Sequence, residues 1–567
     1  MQRIRRSALL VLSMLAGGAA NDFGQESAFG TSKFEPNGAF GAYLTGRFAE
    51  QQSDLDVAAD RLEAALTQDA GVPEVANQAF IAATMAGRPD AARLAVSVPD
   101  NAVAQLVLAD RDVRSENWEQ AETRFTALPR QALTQVLRPL LIAWAQQGAG
   151  RTTAALATLQ PALEEPRFRG VTALHAALIA DLGGFKPDAA RLYQTAQAEY
   201  GGLNIRLGQI LASWQARQGN LDEAQRIVRD MVGVNGDMAL ARTALEADVA
   251  ELAVRNATDG IAETYLAMAA TLRQQNANDS AQLLLRLALD LRSDFTAARL
   301  LLADIQEAGK RTSAAIATLA SVAPSDPLAP IVVLRRASLL DSMGQEAEAD
   351  RMLKALAEQH PDRPEPLVQI ADNLRLRGRF AEAVAVYDRA VARIGTPTRA
   401  NWPLFYERGV ALERAGEWPK AEADFEYALQ LAPDQPNVLN YLGYAWVDKG
   451  RNVDRARQMI ERAVEQRPND GAFIDSLGWV LLRQGDTAGA LKDLERAVEL
   501  QPEDPVINAH YGDVLDAVGR RREAIFQWRR ALNLKPEPDD QARIEGKLRD
   551  AESTPPTQTA SPGQGAP

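Results

Sequence analysis

In "FIDSLGWVLLRQG", residues 473–485, Ile474, Leu477, Gly478 and Leu481 follow the spacing i, i+3, i+4, i+7. That spacing marks one apolar face of a helix. Gly485 supplies the left-handed turn that ends it. Beyond the turn, Ala490, Leu494, Ala497 and Val498 make the facing stripe of a second helix, which Pro502 stops. The small residues at the crossing let the two helices approach closely. Such a hairpin leaves one apolar side open, so it must stack on a neighbour.

The neighbours are legible. Gly409, Gly443, Gly478 and Gly512 recur at spacings of 34, 35 and 34 residues. Each is followed by a second glycine (Gly416, Gly450, Gly485, Gly519), then by Ala421, Ala456, Ala490 and Ala524, and by Ala428, Ala463, Ala497 and Ala531. Pro433, Pro468, Pro502 and Pro536 close the units. The frame runs backward through Ala371, Ala337, Ala303, Ala269, Ala212, Ala177, Ala143 and Ala109 to Gly46, with Phe80 in a weak second unit. The expectation is an all-α chain, an α-α superhelix of about fourteen helix–turn–helix units. Residues 232–263 break the frame. The implied organisation is an N-terminal degenerate array over 41–231, an irregular helical interruption over 232–263, a C-terminal array over 264–538 and a polar capping helix over 539–552.

These units resemble the tetratricopeptide repeat, with small residues at positions 8, 20 and 27 and proline at 32. The fourth position, often tryptophan in that family, holds Phe405, Leu439, Ile474 and Asn508. The bulky requirement is met in the first three and fails in the last. The strings "VLNYLGYAWVD", "FIDSLGWVLL" and "GDVLDAVGRRREAIFQWRRAL", and more weakly "TDGIAETY", look like those of exported repeat proteins of Gram-negative, especially α-proteobacterial, bacteria. The resemblance implies a compartment and a binding role, not a named partner.

Composition narrows the function. The net charge of −13 gives no global basic face for nucleic acid. With no cysteine, disulfides, thiolate metal sites and thiol nucleophiles are excluded, and so is a lipid-anchored N-terminus. His175, His360 and His510 stand in no metal-binding spacing. No nucleophile elbow, phosphate loop or dinucleotide fingerprint is present, so no cofactor and no catalytic residue are expected. Arg3, Arg5 and Arg6, the apolar run from Ala8 to Ala16 and Gly18-Ala19-Ala20 have the layout of a signal peptide over 1–20. A flexible lead-in over 21–40 and a disordered tail over 553–567 complete the chain. The expected address is the periplasm, by the secretory or the twin-arginine route.

Chemistry is therefore sought in binding. In the resembled family the groove is walled by first-helix positions 2, 5, 9 and 12. Here those places hold Tyr406 and Glu413, Asn440 and Tyr444, Asp475, Trp479 and Leu482, and Asp513. Aromatics beside an amide and acids suit an extended peptide of neutral or basic character. The alternative is that Tyr444 and Trp479 pack between neighbouring first helices. Arg520, Arg521, Arg522, Arg529 and Arg530 form a basic patch that could meet an acidic partner or anionic headgroups at a membrane surface. The reading is a non-enzymatic protein-binding scaffold serving cell-envelope assembly or export, with self-association possible. The alternatives are a wall-active hydrolase using a carboxylate site and a cytoplasmic adaptor.

Overall fold

The computed structural model describes residues 38–553, apart from 53, 70, 130, 131, 201–203 and 235. The expected signal peptide, the lead-in up to residue 37 and the tail beyond Ser553 lie outside the described residues. The described residues hold thirty α-helices and no strand. All but two, Arg242–Ala247 and Pro538–Ser553, pair with a sequence neighbour into hairpins. That is the number of hairpins the repeat frame requires.

The frame residues hold the hairpins shut. Gly478 faces Leu494 across its hairpin so closely that a Cβ there would lie 2.6 Å from the leucine Cγ. The matching alanines Ala143, Ala177, Ala337 and Ala371 are likewise buried. Gly485 turns the chain at φ +87°. The one 35-residue spacing has a local cause: Asn452 takes φ +49° and absorbs the extra residue before helix Val453–Gln466. The last two first helices start on aspartates, Asp470 accepting from the Ala472 and Phe473 amides and Asp504 from those of Val506 and Ile507. Asn508 departs from the bulky fourth position for a reason. Fully buried, it donates to the carbonyls of Pro502 (3.1 Å) and Asp504 (2.6 Å) and so pins the start of its helix.

The chain forms two compact units, one ending at Gln105 and the other beginning at Leu106. In the first, helices Ala39–Gln51 and Leu55–Gln68 share a core with helix Pro73–Ala86 through Ala49, Ala58, Leu62 and Ala79. The second holds the remaining hairpins, and residues 232–263 lie within it. There the chain forms a 3-10 turn, Gly236–Ala241, the short helix Arg242–Ala247, and from Ala257 a helix of 18 residues, Ala257–Gln274. The last helix, Pro538–Ser553, buries Ile544, Leu548 and Ala551 against the final hairpin.

Candidate functional site

First helices Trp402–Arg414, Pro436–Asp448, Gly471–Arg483 and Pro505–Ala517 carry the expected wall. Its upstream part is half-buried and aromatic. The Tyr406 ring lies 5.9 Å from Tyr441, edge-on, and 6.1 Å from Trp402. Burial, then the charge of Glu407, pushes its phenol up to about 12. Glu413 is half-buried, 3.6 Å from the Lys449 ammonium. Asn440 is half-buried too, and its Oδ1 is sealed from solvent with no hydrogen-bond partner. Tyr444 follows one turn later on the same helix. Burial raises its phenol, helped by the charge of Asp475.

The downstream part is different. Asp475 and Trp479, expected on an open wall, are only 5% and 8% exposed. The cause is His510 of the next hairpin, which is wholly buried. Its Nδ1 lies 2.9 and 3.0 Å from the two Asp475 oxygens, and its ring stacks on Trp479 at 4.3 Å and 17°. Asp475 and Trp479 are thus corrected from groove wall to packing between first helices. A sealed histidine–carboxylate pair also offers no surface to a substrate. Asp513 is half-buried and spoken for, accepting from Trp528 Nε1 (2.9 Å) and from Lys547 Nζ (2.5 and 2.7 Å) of the last helix. Leu482 packs on the hydrophobic core.

The basic patch is largely neutralised. Arg520 pairs with Glu523 (2.5 Å), Arg521 with Asp516 (3.1 Å) and Arg529 with Glu552 (2.7 Å), while Arg530 donates to the Pro502 carbonyl (2.9 Å). Helix Arg521–Asn533 carries Glu523 as well as arginines, and the last helix adds Glu552, so the run of positive charge is local to the sequence. Arg522 alone of the five stands exposed outside these pairs. Among the described residues no group of three His, Asp or Glu is placed to hold a metal ion, and no helix is long and apolar enough to cross a membrane.

Sequence reasoning missed the most heavily built wall. Helix Ala257–Gln274 lies against the first helices Ala102–Arg114, Ala132–Gly148 and Arg169–Leu182 and reaches Arg206 on Ile205–Arg217. The residues "TDGIAETY" carry the contact. Gly260 meets the Trp144 ring so closely that a Cβ would lie 2.4 Å from it. Glu263 takes the Arg206 guanidinium at 2.8 Å, Thr264 faces His175, and the Tyr265 hydroxyl donates to both oxygens of fully buried Asp110, at 2.9 and 3.1 Å. Burial holds the Asp110 carboxyl well above the usual carboxylate range and the His175 imidazole down at about 3. The 3-10 turn Gly236–Ala241 does the same on a smaller scale, with buried Leu240 joining the core at Leu334 and Leu367 on first helices Ala329–Ser342 and Glu365–Leu376. The available signal was the string "TDGIAETY" itself.

Stacked helical hairpins with internally filled walls define an α-helical repeat protein, an architecture that points to protein–protein scaffolding. Two tetratricopeptide-repeat family models match the chain, over residues 334–397 and 402–536, and support that family for this stretch. The TPR repeat-containing protein PA4667 of Pseudomonas aeruginosa is 29% identical over 195 residues, 34% of this chain and 32% of that protein. The match therefore spans about a third of that relative's length. Among solved structures, the chain is similar to one in the APC/C hetero-tetramer Cut9–Hcn1 (15% identity, 90% of this chain and 95% of that chain, TM-score 0.39). It is also similar to YrrB, a TPR protein with an unusual peptide-binding site (20% identity, 34% and 97%, TM-score 0.27). The repeat architecture stands on the chain's own hairpins rather than on these likenesses.

Proposed function

We propose that the chain is a non-enzymatic scaffold in the bacterial periplasm. It holds an extended segment of an envelope protein on the first-helix wall between Tyr406 and Tyr444, in support of envelope assembly or export. Asn440 carries this reading. Its Oδ1 is buried and unmatched, one turn from Tyr444, and an unmatched buried acceptor costs about 1–3 kcal/mol. A backbone N–H of an extended peptide would satisfy it, and the two tyrosines give such a peptide apolar area at small entropic cost. Glu413 and Asp448 on the same first helices favour a neutral or basic segment. The compartment rests on the signal layout of residues 1–20, and the envelope role on the resemblance of the C-terminal strings.

A photocrosslinking residue at Tyr406, in cells, tests the wall. The expected result is capture of an envelope polypeptide, reduced severalfold by Asn440→Ala. Capture no stronger than from exposed Arg496 on a second helix, or indifferent to Asn440→Ala, overturns the site. Fractionation with N-terminal sequencing tests the address: a chain beginning near residue 21 in the periplasm supports it, and an uncleaved cytosolic chain refutes it.

A further inference from the structure

Helix Ala39–Gln51 carries three large apolar side chains in the open. Phe40, Leu44 and Phe48 are 74%, 50% and 62% exposed. Four residues apart, they form one stripe along the helix. Another face is already packed: Ala42, Gly46 and Ala49 are buried, and a Cβ on Gly46 would lie 2.7 Å from Leu62 Cγ. The helix is therefore apolar on two faces and covered on one.

The repeat frame says what the bare face is for. With Gly46 at the eighth position, Phe48 is at the tenth. In most later hairpins the tenth position is buried, as at Ala82, Ile179, Ile305, Leu339, Val480 and Val514, the exceptions being exposed Arg111 and half-buried Thr271. Ala82 shares a core with Leu62 of the hairpin before it, and Val514 with Leu494 of its own predecessor. The tenth position is where a hairpin meets the one before it, and the first hairpin fills it with phenylalanine. The last helix is finished differently, with Asp539, Gln541, Arg549 and Asp550 exposed to solvent.

We infer that this stripe is an interface with a second copy of the chain, the two first helices packing antiparallel about a two-fold axis at Leu44. Read in either direction the stripe is Phe, Leu, Phe. The two-fold therefore sets Phe40 on the partner's Phe48 and Leu44 on the partner's Leu44, the self-complementarity an isologous contact requires. An unrelated partner imposes no such symmetry. The three side chains offer about 350 Å² per chain, less than half of the roughly 800 Å² per partner of a standard interface. The pair is accordingly reversible and concentration-dependent.

The chain has no cysteine, so Leu44→Cys places a single thiol on the axis. In the full chain under mild oxidation, Leu44→Cys should form a disulfide dimer at least tenfold faster than Thr67→Cys, an exposed position elsewhere on the same hairpin. Sedimentation velocity should show the unchanged chain moving toward dimer with rising concentration, and Phe48→Glu holding it monomeric. Equal crosslinking from the two positions, or association untouched by Phe48→Glu, overturns the proposal. So does a full chain that dimerises only after Phe23, Phe29 and Phe34 are changed to serine, because that result makes the preceding segment the stripe's own cover.

Discussion

Two walls of first helices, built on one repeat frame, are finished in opposite ways. Upstream, Asp110, Trp144, His175 and Arg206 present single polar or aromatic groups, and each is matched by a residue of helix Ala257–Gln274. Downstream, Trp479, Asp475 and His510 close on one another, while the stretch from Tyr406 to Tyr444 keeps half-buried rings and one unmatched amide oxygen. The frame residues are of the same kind in both walls, so what distinguishes a filled wall from an available one is how positions off the frame are covered. Unpartnered buried polar atoms occur in both, among them His175 Nε2 upstream and Trp479 Nε1 and His510 Nε2 downstream, but those side chains are enclosed, whereas Asn440 Oδ1 belongs to a half-buried residue one turn from half-buried Tyr444.

The largest expected effect breaks the downstream wall. Trp479→Ala should cost about 3–5 kcal/mol, as buried Trp→Ala changes do, because the indole is stacked on His510 and enclosed. Tyr444→Ala, half-buried, should cost about half as much and lower partner capture more than stability. Urea unfolding of the two variants checks this. Equal and small losses would return the indole to the groove.

The next effect breaks the upstream wall. Gly260→Leu drives a side chain into the Trp144 ring, which is wholly buried and has no room to yield. Overpacking of this kind costs about 3 kcal/mol. Hydrogen exchange should show the loss spreading from helix Ala257–Gln274 to the hairpins it covers. The same substitution at exposed Gly485 would act through the turn alone and leave those hairpins protected.

The repeat frame was legible because frame residues obey a local rule: small at the crossing, glycine at the turn, proline at the exit. The frame placed Ala269 of helix Ala257–Gln274, but the packing of that helix on the upstream wall was not legible, for a physical reason. Between Asp259 and Leu266 nearly every residue is buried, polar ones included, because the helix has the upstream wall on one side and its hairpin partner Asn278–Leu291 on the other. A helix buried all round shows no one-sided stripe. Asp259, Glu263 and Thr264 look like a solvent face until Arg255, Arg206 and His175 are found beside them. Asp475 and Trp479 were misplaced for the complementary reason. Their spacing sets them on the face where a wall was expected, but the residue that covers them, His510, comes from another hairpin, and no spacing within one unit reports it. The arginines read as a patch because counting the positive run passes over the acids that answer it: Glu523, next to Arg522, pairs with Arg520, Asp516 on the preceding helix pairs with Arg521, and Glu552 on the last helix pairs with Arg529.

The smallest of these effects sharpens the comparison through pH, and its sign follows from His175. The Trp144 indole N–H donates to His175 Nδ1 at 3.1 Å, so the ring is neutral with its proton on the buried Nε2. Adding a proton at Nδ1 would set two donors face to face in a fully buried site. Burial accordingly holds the folded-state value at about 3, against an ordinary 6.5 when unfolded. Between those values the unfolded chain binds the extra proton and the folded chain does not. Stability from this group is full above pH 6.5 and is lost as pH falls toward 3, amounting to about 2 kcal/mol at pH 5. Asp110 works in the opposite sense. Its raised folded value contributes stability at low pH that is lost as pH rises toward that value. Acid unfolding of the unchanged chain mixes both with the surface carboxylates, so the readout is a difference between variants. His175→Gln retains an acceptor for Trp144 and should flatten the loss between pH 7 and 5, while Asp110→Asn should flatten the opposing slope. In the downstream wall the buried histidine faces a carboxylate, Asp475, where His175 faces an indole N–H. An acid limb unchanged by His175→Gln would mean that the upstream wall opens to solvent before the ring titrates, and would erase the contrast between the filled wall and the available one.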